Sequence, residues 1–220
     1  MKILVLSCDK YSATWEPFFK LLDKYYKNHP ETYLVCETKK CKYSKTINVN
    51  SNIWTKRFRE ALKKIKDDYV LVLLDDFFIR KKVDEERINE ILKNFDKDTI
   101  VFNFEKKYRK TEKYTDVEGF EIQKDNQIYL NSCQPSIWDR KKLIERLSKD
   151  ENAWDWEKTI VDSPYKHYIN TKKTIINIGY NHTLYWGISR GKLTLECKLF
   201  LKKEHLHLEW KNNKRKELKK

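Results

Sequence analysis

Residues 67–79 contain an uninterrupted apolar run, Tyr69 to Leu74, with Asp67 and Asp68 before it and Asp75 and Asp76 after it. A run this short, bounded by charge and made of Val, Leu and Tyr, reads as a strand buried on both faces. Such strands belong to an open α/β sheet, where ligands bind just beyond the carboxyl ends. An acidic pair at that edge can hold Mg²⁺ or Mn²⁺, because hard cations take carboxylate oxygen. The cation could then neutralise phosphates on a ligand. Two aspartates that merely end a strand and cap a turn look the same, so the rest of the chain must decide.

The chain has 220 residues, enough for one domain with a sizeable core. Only four Gly and four Pro occur, and neither GxGxxG nor GxxxxGK[ST] is present, which excludes the dinucleotide fingerprint and the P-loop. A net charge of +14 favours phosphates, nucleic acid or an anionic membrane face as partners. Five scattered cysteines without a CxxC pair argue against a zinc site or a disulfide framework and fit a reducing compartment. The apolar run at the N-terminus is too short for a signal peptide, and no stretch approaches a membrane span. A cytoplasmic protein is expected.

Ile3 to Leu6 form a first buried strand closed by Ser7-Cys8-Asp9, so Asp9 stands at a second carboxyl edge, either contacting a base or ribose or serving as a turn aspartate. Ser12 opens a helix whose apolar face is Trp15, Phe18, Phe19, Leu22, Tyr25 and Tyr26. Residues 32–36 are a second strand and 39–45 a basic loop. Trp54, Phe58, Ala61, Leu62 and Ile65 mark a helix leading into the central strand. The β-α-β-α-β order implies a parallel sheet. Further on, Asp84 and Asp139 are helix caps, and 99–104, 128–130 and 174–179 are expected strands. Residues 105–125 read as a hairpin or loop, and a helix is expected from about 151 through Val161. Residues 198–220 form a basic tail with nine Lys/Arg against three Glu, separating a domain of 1–197 from its extension. The tail either docks on an anionic membrane face or is simply solvated.

Four further groups could carry chemistry. Asp155 and Glu157 sit between Trp154 and Trp156, an aromatic frame that can raise a carboxyl pKa toward general-base range; acids in a first helical turn are the bland alternative. Arg190 and Lys192 flank Gly191 and suit a pyrophosphate, as would a basic surface turn. Gln134 is an uncharged donor at a strand-to-helix junction. Of the histidines, His182 lies near Arg190, and His205 and His207 lack a third ligand.

Taken together, Ser7-Cys8-Asp9-Lys10-Tyr11-Ser12 with Trp15-Glu16-Pro17-Phe18-Phe19, the segment Leu71 to Phe78, Gln134-Pro135-Ser136-Ile137-Trp138 and Glu151 to Glu157 resemble bacterial glycosyltransferases of GT-A type, enzymes of capsular and other surface polysaccharide assembly. The likeness runs from residue 1 to about 192. It implies an α/β, Rossmann-like fold with a mostly parallel central sheet flanked by helices, and a hexosyltransferase-type activity. It also implies a nucleotide-sugar donor, foremost a UDP-sugar, a glycan or lipid-linked acceptor, and Mn²⁺ or Mg²⁺. The D-x-D-type metal motif would fall on Asp75 and Asp76, although the chain reads Leu74-Asp75-Asp76-Phe77 with no third acid two places on. Asp9 would meet the nucleoside, Asp155 or Glu157 would be the catalytic base of an inverting reaction, and Arg190 and Lys192 would suit the diphosphate.

The rival classes are a single-stranded nucleic-acid-binding protein, a metal-dependent hydrolase on the same carboxylates, and an inactive scaffold. Charge and aromatics favour the first. Against it, the aromatics sit at helical core spacings, and an acidic strand end repels phosphate unless a metal intervenes.

Overall fold

The computed structural model describes residues 1–104, 110–112, 115, 117–172, 175–178, 187–189 and 191–210. Arg190, His182 and residues 211–220 lie outside the described residues, as do parts of the expected segments 105–125 and 174–179.

One nine-stranded sheet forms the centre, in the order β3-β2-β1-β4-β8-β5-β9-β7-β6. Its first half comes from β1 (Lys2–Leu6), β2 (Thr32–Cys36), β3 (Lys45–Asn48) and β4 (Tyr69–Leu74), all parallel. β5 (Thr99–Asn103) and β9 (Lys166–Asn170) run the same way, and only β7 (Phe120–Gln123) and β8 (Ser136–Asp139) run against the rest. The short β6 (Thr111–Glu112) pairs with β7 at the edge. The sheet is thus mostly parallel, and helices cover both faces.

Alternate side chains of the central strands serve the two layers. Ile3, Val5, Leu71 and Leu73 pack with Phe18, Phe19 and Leu22 of α1 (Trp15–Tyr25) and with Ile88 and Ile91 of α3 (Glu85–Lys93). Leu4, Leu6, Val70 and Val72 pack with Phe58 and Leu62 of α2 (Trp54–Lys63), Leu143 of α4 (Arg140–Arg146) and Trp156 of α5 (Ala153–Lys158). This two-sided burial is why β1 and β4 carry continuous apolar runs. Asp84 and Asp139 cap α3 and α4, accepting from the amides of Arg87 and Lys142.

Several expected elements differ. A 3₁₀ turn, Asp9–Thr14, precedes α1, so the α-helix opens at Trp15 rather than Ser12. β3 grows out of the basic loop and joins β2 in parallel without an intervening helix. Residues 128–130 are a turn, with Tyr129 at φ 67°, because the Tyr129 amide donates to the Glu157 carbonyl (2.7 Å) instead of a neighbouring strand. The strand that follows is β8, which inserts antiparallel between β4 and β5. Residues 175–178 do not form a strand: the carbonyls of Ile175 and Asn177 accept from the amides of Asp84 and Arg80, tying this apolar segment to the chain after β4. α5 ends at Lys158, and Ile160 beyond it is exposed. A final hairpin, β10 (Ile188–Ser189) and β11 (Lys192–Leu193), leads into α6 (Leu195–Lys203), which runs across positions 197 and 198 and sends Cys197 and Leu201 into the core.

Candidate active site

A cavity of about 590 Å³ opens at the carboxyl ends of β1 and β4. Its floor is Leu6, Ser7, Leu74, Asp75 and Asp76; Gln134, Glu157 and Arg57 form part of its walls. The strand-edge position follows from the two apolar runs: where burial on both faces ends, the chain turns and polar side chains meet.

Asp75 is buried and held. Its Oδ2 accepts from the hydroxyls of Ser7 (2.5 Å) and Thr14 (2.9 Å), and the Trp15 indole donates to Ser7 Oγ (2.7 Å). Burial raises its carboxyl to about 7, against the lowering effect of these hydrogen bonds. Asp76 is half-buried, and burial together with the neighbouring Asp75 charge raises it well above the ordinary carboxyl range. Among the described residues no Lys or Arg pairs with either carboxylate. A buried carboxyl next to a half-buried one, with no cation paired to either among the described residues, is costly, and a divalent ion would relieve that cost. Mg²⁺ and Mn²⁺ commonly take one or two carboxylates and complete their shell with water and phosphate. Asp76, with what remains of Asp75, fits that requirement. Among the described residues no cluster of three or more His, Cys, Asp or Glu side chains could enclose a metal.

Glu157 and Asp155 separate. Glu157 lines the cavity, and its Oε1 accepts from the Cys133 amide at 2.8 Å. Asp155 is exposed, belongs to no part of the cavity wall, and accepts from Asn152 Nδ2 within the cap of α5. One turn of helix explains the split, since residues two apart point to different sides. The tryptophans separate likewise. Trp156 is buried against Trp54, Phe58 and Trp138, whereas Trp154 stands at the cavity rim, 52% exposed.

Gln134 is buried in the cavity wall, and its Oε1 has no hydrogen-bond partner among the described residues. A buried unpaired amide oxygen carries a desolvation cost of roughly 1–3 kcal/mol unless a ligand satisfies it. Asp9 is engaged elsewhere: its carboxylate accepts from the amides of Thr38 and Lys39 and from the Thr38 hydroxyl. Burial works to raise its pKa, but these hydrogen bonds win and bring it to about 2. Asp9 does not line the cavity; it pins the β2–β3 loop beside it. Lys192 lies in β11, exposed and outside the cavity wall.

Three wall residues are assigned no role from the sequence, although Tyr11 falls within the Ser7–Ser12 motif. Arg57, buried on α2, pairs with Glu37 Oε1 at 2.7 Å and brings a cation to the cavity. Tyr11 meets Trp210 edge-on, with ring centroids 4.9 Å apart, and the Trp210 indole donates to the Gly191 carbonyl at 3.0 Å. A basic or aromatic residue in a helix or tail looks like surface until the fold brings it round. Cys8 also lines the cavity, but burial and the Asp75 charge push its thiol up to about 11, so it is not a thiolate nucleophile at neutral pH.

The hairpin closes over the acids through Gly187, whose amide donates to the Asp76 carbonyl at 2.9 Å. A Cβ on Gly187 would lie 2.4 Å from Phe78 Cε2, so only glycine fits.

No family model and no curated protein matches the chain. Among solved structures it is similar to the galactosyltransferase LgtC in complex with donor and acceptor sugar analogs, at 16% identity and TM-score 0.44, covering 76% of this chain and 68% of that one. It is also similar to S. aureus TarS (15%, 0.44, 78% and 36%) and to the bifunctional IspDF of Campylobacter jejuni (16%, 0.44, 70% and 44%). The chain spans less than half the length of the last two. At these identities and TM-scores the likeness carries no argument about this chain.

Proposed function

We propose that this chain transfers a sugar from a nucleotide-sugar donor to a glycan or lipid-linked acceptor, with Mg²⁺ or Mn²⁺ at the donor site and inversion at the anomeric carbon. The observation that carries the reading is the meeting of Asp75, Asp76, Glu157 and the unpaired Gln134 oxygen in one cavity at the carboxyl edge of β1 and β4. Asp76 would hold the cation, and Asp75, fixed by Ser7 and Thr14, would keep Asp76 in place. A divalent ion there supplies charge neutralisation for a diphosphate leaving group. Arg57 adds positive charge to the same cavity, and Gln134 offers its oxygen to a hydroxyl of the ligand. Glu157 takes the proton of the acceptor hydroxyl. That oxygen then bonds to the anomeric carbon as the carbon–oxygen bond to the diphosphate breaks, and the nucleoside diphosphate departs. Arg190, between the cavity-lining Ser189 and Gly191 in sequence, is proposed for the departing diphosphate, whereas Lys192 lies outside the cavity wall; a role in surface polysaccharide assembly is part of the same proposal.

The test is a thermal-shift panel of nucleoside diphosphates and nucleotide sugars, with and without Mn²⁺, on the wild type and on Asp76→Asn. A ligand at 100 times its dissociation constant adds about 2.7 kcal/mol of stability. A metal-dependent shift with one nucleotide, lost in the variant, is expected. A shift with single-stranded RNA or DNA and none with nucleotides would replace this reading with the nucleic-acid one. Release of free sugar with no transfer to any acceptor would replace it with hydrolysis.

A further inference from the structure

We propose that the outer face of α6 docks on an anionic lipid bilayer and sets the cavity rim against the membrane. α6 carries apolar residues on both of its sides. Cys197 and Leu201 fill the core, while Leu195 and Leu199, one turn apart on the opposite face, are 67% and 60% exposed. The other long helices turn their large apolar side chains inward, so this pair is not the remainder of a core-facing stripe.

The charge around the pair selects the occupant. Lys198, Lys202 and Lys203 are exposed on either side of the two leucines, with Glu196 the one acid on that flank. Glu204, at the end of the helix, hydrogen-bonds Lys24 (2.6 Å) and Tyr25 (2.8 Å), and of those lysines only Lys203 acts on its charge. Residues 211–220 add six Lys/Arg and one Glu in sequence. Leucines at the centre of a helix face with lysines beside them bury the apolar side chains among acyl chains while the ammonium groups reach the phosphates. A short apolar contact and a polybasic segment are each weak alone, and stable docking takes two such signals. Among the described residues no helix is long and apolar enough to cross a membrane, so the contact is interfacial.

The position gives the docking a consequence. The Thr194 amide, at the cap of α6, donates to the Gly187 carbonyl, and the Gly187 amide donates to the Asp76 carbonyl. Docking α6 therefore brings the acidic edge of the cavity close to the bilayer, where a lipid-borne substrate would lie. The docking itself does not depend on the transferase reading, because binding is measured without donor or acceptor.

Flotation of the full chain decides it, using vesicles of phosphatidylcholine alone and of phosphatidylcholine with phosphatidylglycerol. The wild type is expected to float with the anionic vesicles only, and Leu195→Ser/Leu199→Ser to reduce the bound fraction about tenfold or more. The melting temperature should be unchanged, since neither leucine is in the core. Salt at about 0.5 M should weaken what remains. Three results would overturn the proposal: no flotation of the wild type, equal flotation of the double variant, or a wild-type dimer that fails to float and that the double variant dissociates. The last would make this face a self-interface.

Discussion

Neighbouring acids in this chain do different work. Both aspartates line the cavity, but Asp75 is buried and held by Ser7 and Thr14, while Asp76 is half-buried. Glu157 faces the same cavity, while Asp155, two residues earlier, accepts from the cap residue of α5. Single substitutions should report this division. Glu157→Gln should lower transfer by about 10²–10⁴-fold while leaving the nucleotide-induced thermal shift intact. Asp155→Asn should keep near wild-type activity and cost less than about 1 kcal/mol of stability, the scale of an exposed helix-terminus interaction. Initial rates and melts on the two purified variants check both. Glu157 and Asp155 were equal candidates in the sequence, because only the direction in which α5 presents each side chain distinguishes them.

Two elements, one over the site and one away from it in the sheet, each have a measurable weak point. The β10–β11 hairpin lies close over the chain that follows Asp76, and Gly187→Ala would push a methyl into Phe78. Overpacking of this kind costs typically about 1–3 kcal/mol. The variant should melt lower and bind nucleotide more weakly, as isothermal titration would show. β9 is anchored by His167, fully buried, whose Nε2 lies 2.9 Å from Ser163 Oγ. Burial and the nearby Arg146 charge push its imidazole down to about 3 from an ordinary 6.5. The unfolded chain therefore binds a proton between those values that the folded chain refuses. The stability that neutral His167 contributes is complete above about pH 6.5 and is lost progressively as pH falls toward 3. By pH 5 the deficit is about 2 kcal/mol. Chemical denaturation at pH 7 and 5 should show it, and His167→Gln should flatten the difference. β8 illustrates what local pattern omits: its four residues make sense only between β4 and β5, which are far from it in sequence.

At the scale of the whole molecule, the cavity is assembled from both ends of the chain. Tyr11 follows β1, whereas Trp210 comes from beyond α6, and the two rings meet across the cavity wall. Removing the indole takes away part of that wall and its hydrogen bond to Gly191, but no residue of either core layer. Trp210→Ala should accordingly raise the KM for donor several-fold, with kcat and the melting temperature little changed. Steady-state kinetics with varied donor separate this from a folding defect, which would lower kcat and KM-independent yield together. The net charge of +14 also belongs to this scale. It favours anionic partners in general, and the exposed leucines of α6 are the ground on which a lipid surface is proposed among them.

The sequence by itself determined the α/β class, the two buried parallel strands and the caps at Asp84 and Asp139. It also located the acidic edge after Leu74. Those features rest on local signals, since apolar runs, helical periodicity and cap residues act within a few residues of themselves. Only the tertiary structure decided which acids share a cavity, that Asp9 pins a loop instead of facing that cavity, and that Arg57 and Trp210 belong to its wall. It also decided that residues 175–178, apolar enough for a strand, satisfy their backbone against the chain after β4. Each of those outcomes depends on pairing or packing between distant segments, which no window of sequence contains.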